Sequence, residues 1–148
     1  MKTQKLMPFF GLGIILLFTQ FNASLMKPEH PYYLHALSDL RAARWMIEHR
    51  PGNWQTTVDE VEAVKRIDEA INEIKKASID DGKDINDHPK VDEHPDHVGR
   101  LHAAAEFLKK AREDVNKDED NRFAQGLQDR ALKHINEAIK LTEKAIHN

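Results

Sequence analysis

Cysteine is absent from the 148-residue chain. Its absence excludes disulfides, thiolate metal sites, a cysteine nucleophile, covalently attached c-type haem and a lipidated N-terminal cysteine. An excess of one charge is also lacking, since 22 Lys and Arg residues and 25 Asp and Glu residues are mixed along the chain for a net charge of −3. That balance argues against nucleic-acid binding. We recognise no Ser-His-Asp order, glycine-rich phosphate loop or catalytic acid pair, and we therefore expect no enzyme.

The N-terminal residues have the pattern of a targeting segment. Residues 1–5 carry two positive charges, residues 6–18 are almost wholly apolar, and residues 19–24 are polar or small. This order is typical of a secretory signal peptide, and an apolar run of about 13 residues is shorter than the roughly 20 that span a bilayer. We predict a signal peptide over residues 1–24 and export to a periplasmic or secreted location. The alternative is an uncleaved N-terminal anchor, which would give the protein a membrane partner.

The rest of the chain has the apolar period of α-helices and no convincing strand period. The spacing predicts helices over residues 31–49, 57–79, 95–117 and 121–148. Thr57 and Glu60 form a capping box at the second helix start. The stripes predict that Val61 and Val98 point into the core. The predicted fold is all-α: an antiparallel four-helix bundle in one domain, residues 25–148.

Matching segments recur in the same order and indicate that one helical hairpin is duplicated. Residues 29–31 and 93–95 both read Glu-His-Pro, and residues 34–36 and 101–103 both read Leu-His-Ala. Residues 67–71 and 135–139 also match, at a spacing of 68. We predict two αα-hairpins, residues 31–79 and 95–148, joined by an acidic linker, residues 80–94. Each hairpin has an apolar stripe that only the other can bury.

The linker and the start of the third helix combine imidazoles with carboxylates, a set that suits zinc, copper(II) or nickel. His94 and His97 are three residues apart at a helix start, and His102 lies about one turn further on. The candidate ligands in this region are His88, His94, His97, His102, Asp87, Glu93 and Asp96. The alternative is structural, because Pro at the first helical position and acidic residues before it are also ordinary signals of a helix start.

Two further histidines are candidates because of their place in the repeat. His35 and His102 recur in the matching Leu-His-Ala segments, and an acidic residue follows each of them four residues later. An imidazole and a carboxylate at that spacing share one helix face. The pairs could form one interior metal site, or they could be boundary histidines that hydrogen-bond to their acidic neighbours.

Two arginines interrupt the predicted apolar stripes at matching positions. Arg44 and Arg112 are 68 residues apart, and a buried arginine needs a partner. Asp68 on the second helix is a suitable partner. A structural ion pair that fixes helix register is the favoured interpretation, and an anion site in the core is the alternative.

The fourth helix resembles the repeat of the small metal-binding protein family. The similarity covers His134-Ile135-Asn136-Glu137-Ala138-Ile139-Lys140, followed by Glu143, Ala145, Ile146 and His147. Proteins of that family are exported, cysteine-free, histidine-rich helical bundles that take up copper and other divalent metals. The resemblance implies low-specificity metal binding by surface imidazoles such as His134 and His147. Leu141 stands where the family would have a further histidine.

The sequence thus predicts an exported helical bundle that binds copper, zinc or nickel for buffering or sequestration. A structural or interaction module of the cell envelope without a cofactor is the alternative, and its protein partner is not specified by the sequence. A bundle that holds a small ligand or haem is the third and least favoured interpretation, because Met46 is the only methionine beyond Met26 that could ligate iron.

Overall fold

A computed structural model describes residues 31–77, 81–93, 95–117 and 122–148, and these ranges contain four α-helices and no strand. The helices are α1 (Pro31–Glu48), α2 (Val58–Ala77), α3 (His97–Val115) and α4 (Arg122–Ile146). The predicted all-α class with four helices is confirmed. The predicted signal peptide, residues 1–24, and the candidate ligand His94 lie outside the described residues. Within the described residues, none of the helices combines the length and the apolarity that a membrane-spanning segment needs.

Short polar signals set the helix ends. The Glu60 backbone N–H donates to Thr57 Oγ1 at 3.2 Å, and the Thr57 N–H donates to Glu60 Oε2 at 2.6 Å. This reciprocal pair is the predicted capping box. Asp96 caps α3, where its Oδ1 accepts from the Gly99 N–H at 2.8 Å. Gly52, in the turn after α1, has a φ of 69°, a left-handed conformation that suits glycine.

Neighbouring helices in the bundle are antiparallel. α1 packs against α2 and α3, and α4 packs against the same two helices. Lys144, near the end of α4, pairs with Asp59 at the start of α2, with 2.9 Å between Nζ and Oδ1. Arg130, near the start of α4, pairs with Glu73 toward the end of α2. α2 and α4 therefore run in opposite directions.

The connection from α2 to α3, which we call the crossover, runs back along α1. Asp81, just after α2, contacts Arg41 in the middle of α1, whereas Arg100 in the first turn of α3 reaches the backbone of His49 at the end of α1. The linker therefore follows α1 from its middle to its C-terminal end. A bundle with one long crossover results, and α2 and α3 start at the same end.

The core is built from the predicted stripes with two exceptions. Leu37, Leu40 and Ile47 of α1 and Ile67, Ile71 and Ile74 of α2 are buried, as are their counterparts on the other helices. Val61 and Val98 were predicted to point inward, but they are 58% and 42% exposed. Both lie in the first two turns of their helices, where the bundle end offers few neighbours to cover a side chain.

Candidate functional site

One end of the bundle gathers His49, His88 and His97 around two tryptophans, and we refer to it as the histidine end. Trp45, in the last turn of α1, is its centre. The His49 ring stacks on Trp45 with 4.4 Å between centroids and 12° between planes. The His88 ring lies 4.9 Å from the Trp45 ring at 38°. Two imidazoles, one directly after α1 and one on the crossover, thus contact one indole.

Hydrogen bonds fix the same tautomer in both imidazoles. His49 Nδ1 lies 3.1 Å from the Trp45 carbonyl oxygen, and His88 Nδ1 lies 2.7 Å from the Pro89 carbonyl oxygen. A carbonyl oxygen only accepts, so each Nδ1 must carry the proton. The neutral ring then has its lone pair on Nε2. A backbone carbonyl that holds the far nitrogen is the usual second-shell arrangement of a metal-binding histidine.

Both imidazoles are open to solvent to some degree. His49 is exposed and His88 is half-buried. Beside His88, the crossover forms an open groove of about 420 Å³ that is lined by residues 88–93. Ions in solution can therefore reach His88 from the side of the crossover.

Arg100 holds the surroundings of Trp45 together. Its guanidinium carbon lies 5.3 Å from the Trp45 ring centroid. The same group donates to the His49 carbonyl at 2.7 Å, to the Pro95 carbonyl at 3.2 Å and to the Glu93 carbonyl. Arg100 is only 7% exposed, so these contacts are shielded from water. The end of α1, the end of the crossover and the first turn of α3 meet at this one side chain.

His97 belongs to a second, separate cluster at the histidine end. Its ring stacks on Trp54 with 4.9 Å between centroids, and its Nε2 lies 3.3 Å from Glu60 Oε1. Arg50 Nε lies 3.5 Å from the same oxygen. Glu60 and His97 are both buried, and they connect the N-termini of α2 and α3. His97 therefore serves the packing of the bundle end.

The other candidate ligands are spread over the molecule. Among the described residues, no three His, Asp or Glu side chains form a group that could hold a metal ion. His35 on α1 and His102 on α3 are exposed, as are Asp87 and Glu93 on the crossover. Asp96 uses one carboxylate oxygen to cap α3. The predicted set of imidazoles is therefore not assembled around one point in the described part of the chain.

The carboxylate next to His35 is shaped by its surroundings. Burial raises the pKa of Asp39 above its usual value, and the nearby Asp114 carboxylate adds to this, while Lys110 and His35 act in the opposite direction. His35 and Asp39 thus interact electrostatically along one face of α1. This pair lies on the helix surface and not in an interior site.

The arginines of α1 are paired, but the fully buried one is not the one that the sequence indicated. Arg44 Nε donates to Asp68 Oδ1 at 2.8 Å, and Arg44 is half-buried. Arg41 is 1% exposed and donates twice to the Asp81 carboxylate, at 2.8 and 2.9 Å. These hydrogen bonds lower the pKa of Asp81, against an opposing effect of burial. Arg112 is half-buried on α3.

Sequence reasoning missed Trp45, His49 and Arg100. A usable signal existed for the first two, since Trp45 and His49 are four residues apart and share a helix face. Arg100 had no such signal, because its hydrogen-bond partners are backbone carbonyls, which every residue carries, and one of them, that of His49, is 51 residues away.

Comparison with known proteins does not add a relative. No family model matches the chain, and no curated protein or solved structure matches it. The resemblance of α4 to the small metal-binding proteins stays a prediction from the sequence.

Proposed function

We propose that the protein binds divalent transition metals, copper(II) most tightly, through the imidazoles of His49 and His88 at the histidine end. The observation that supports this is the tautomer: both rings hold Nδ1–H against a backbone carbonyl and offer Nε2 as a neutral ligand. Copper(II) is favoured over nickel and zinc because nitrogen ligands generally bind divalent metals in that order.

A site with two imidazole ligands suits metal buffering or sequestration. Two imidazoles leave coordination positions for water or for a linker carboxylate, so we expect reversible binding of low specificity. Metal binding needs the neutral imidazole, so protons compete with the metal and binding should weaken in acid. None of this requires a catalytic role, and we propose a protein that is not an enzyme.

The two tryptophans offer a direct test, because copper(II) bound near an indole quenches its fluorescence. In a Trp54→Phe background, Trp45 is the only indole. We expect saturable quenching by copper(II) that disappears when His49 and His88 are both changed to Gln. The matched control is the double change of the exposed His35 and His102 to Gln, which should leave the quenching intact. Quenching that both double variants retain, or lose equally, contradicts the proposed site.

We also propose that the two hairpins are copies of one ancestral unit, displaced by 68 residues. Residues at this spacing are buried in pairs, namely 33 and 101, 36 and 104, 40 and 108, 47 and 115, 67 and 135, and 71 and 139. Cross-helix ion pairs support the same register. Arg66 Nε lies 3.1 Å from Glu137 Oε2, and His134 Nδ1 lies 3.0 Å from Glu69 Oε2. Positions 66 and 134, like 69 and 137, differ by 68, so each copy makes the other's contact.

This register changes the interpretation of one predicted pair. Position 35 corresponds to position 103, so His35 and His102 are one residue out of step in a 68-residue repeat. One residue turns a helix by 100°, and the two imidazoles are therefore not equivalent. Arg44 and Arg112 remain equivalent at this spacing.

Export to the periplasm or the exterior is a further proposal, and its support is the charge and apolar pattern of residues 1–24. Expression of the full chain in a bacterial host, followed by fractionation and intact-mass measurement, tests it. A product of full mass in the cytosolic fraction would contradict export.

A further inference from the structure

Arg100 is an unusual buried cation, because backbone carbonyls surround it where a carboxylate would be expected. It is 7% exposed, and in the described part of the chain its hydrogen bonds all go to backbone carbonyls and none to a carboxylate. Its partners are the carbonyls of His49, Glu93 and Pro95, together with the Trp45 ring. A buried charge normally needs a close counter-ion. If Arg100 only fixed the register of neighbouring helices, a carboxylate would be the expected partner. Its hydrogen bonds to several carbonyls therefore indicate a different role.

We infer that Arg100 is the positioning residue of the His49 and His88 pair. This assignment rests on the proposed metal-binding function. Arg100 fixes the carbonyl of His49, the ring of Trp45 that both imidazoles contact, and the end of the crossover that carries His88. A guanidinium has several donors in a planar fork and can bind carbonyls in several directions, which a lysine ammonium does not reproduce.

The positive charge of Arg100 and its hydrogen-bond geometry should affect metal binding in opposite directions. A cation beside the site repels a divalent metal, so a purely electrostatic view predicts tighter binding when the charge is removed. A positioning role predicts the reverse. Arg100→Lys keeps the charge and loses the fork, whereas Arg100→Gln loses the charge and most of the fork. The two variants therefore separate the two effects.

The first measurement uses metal-free protein and does not depend on the proposed function. In the Trp54→Phe background, the ring protons of His49 and His88 carry the ring-current shift of Trp45 in NMR spectra. We expect Arg100→Lys to move the His88 signals toward those of a solvent-exposed imidazole, while the His102 signals stay in place. Arg112→Lys, half-buried on the same helix, is the matched control and should change neither signal.

The second measurement is the copper(II) titration of Trp45 fluorescence in the same proteins. We expect a dissociation constant about tenfold weaker in Arg100→Lys and in Arg100→Gln, as for other losses of support around a metal ligand. Far-UV circular dichroism checks that each variant is folded at the titration temperature.

Each outcome has a distinct meaning. Parental protein without histidine-dependent quenching overturns the proposed function, while the NMR shifts still decide whether Arg100 positions the rings. Unchanged His88 signals, tighter binding in Arg100→Gln, or unfolding of both variants overturns the assignment of Arg100. A lower melting temperature with unchanged signals and affinity shows a structural role only, and it also overturns the assignment.

Discussion

Side chains of one type take different roles in this bundle according to what surrounds them. Arg41 is buried and makes a bidentate pair with Asp81, whereas Arg44 is half-buried and pairs with Asp68. Arg100 donates to backbone carbonyls. Composition reveals none of these differences. They arise from tertiary contacts that no local pattern specifies: Arg41 meets the crossover, Arg44 meets α2, and Arg100 meets the backbone after α1.

Asp81 should be one of the most sensitive positions of the crossover. Asp81→Asn leaves the Arg41 guanidinium buried without its counter-charge, and we expect the free energy of unfolding to fall by about 3 kcal/mol. Urea denaturation at pH 7 measures this. Asp87→Asn, an exposed change on the same segment, is the control and should stay within about 0.5 kcal/mol of the parent.

The effect of Asp81 should depend on pH in a definite direction. Its pKa is lower in the folded chain, so its contribution to stability is full above the unfolded value of 3.8 and is lost as the pH falls through the folded value. We therefore expect the difference between parent and Asp81→Asn to shrink only in strong acid. A difference already lost at pH 5 would contradict this.

Asp39 should behave in the opposite way. Burial raises its pKa, so the carboxylate is a cost that appears as the pH rises through the folded value. Asp39→Asn is expected to stabilise the protein at pH 7 by up to about 0.5 kcal/mol, and to have no such effect in acid where Asp39 is protonated. Thermal denaturation at both pH values distinguishes this from a general effect of the substitution.

At the level of the helices, the sequence was informative because helices depend on local signals. The apolar period and the capping box both act within a few residues, and the predicted helix ends lie within a few residues of their positions in the structure. The crossover was recognisable only as an acidic linker over residues 80–94. Its path along α1 depends on contacts such as Arg41 with Asp81, 40 residues apart.

The candidate site was predictable to the same limited extent. His88 and His97 both stood out by composition, but they contact different tryptophans and therefore lie in separate clusters. Imidazole content could indicate a histidine-rich region. Which nitrogen is free could not be foreseen, since it depends on the carbonyl that each ring meets.

Two glycines inside helices should respond oppositely to alanine. A Cβ on Gly99 would lie 2.9 Å from Pro95 Cβ, part of a rigid ring that leads into α3. On Gly126, the nearest atom is the flexible end of Arg130 at 3.8 Å. We expect Gly126→Ala to stabilise by about 0.5–1 kcal/mol through helix propensity, and Gly99→Ala to destabilise. Thermal melts compare the two, and stabilisation by both changes would show that Pro95 moves easily.

At the scale of the whole molecule, the helices depend more on the other hairpin than on their own partner. α2 packs most extensively against α4, and α1 packs next most extensively against α3, whereas contact between α1 and α2 is the smallest of the four interfaces. The core of each hairpin is therefore completed by the other. We therefore expect that neither hairpin is stable alone, and that the helix interfaces between them hold the two together without an intact crossover.

Cutting the crossover tests this dependence. A protease site inserted next to Lys83, which is exposed, should yield two fragments that remain one complex after cleavage, since the α2–α4 and α1–α3 interfaces are untouched. The unfolding midpoint of the cut protein should then rise with protein concentration, because dissociation accompanies unfolding, whereas that of the uncut chain should not. The uncleaved insertion variant is the control for the added residues. Fragments that separate on gel filtration and each keep their helical circular dichroism would show that a hairpin is stable alone, and the bundle would then be an association of two independent units.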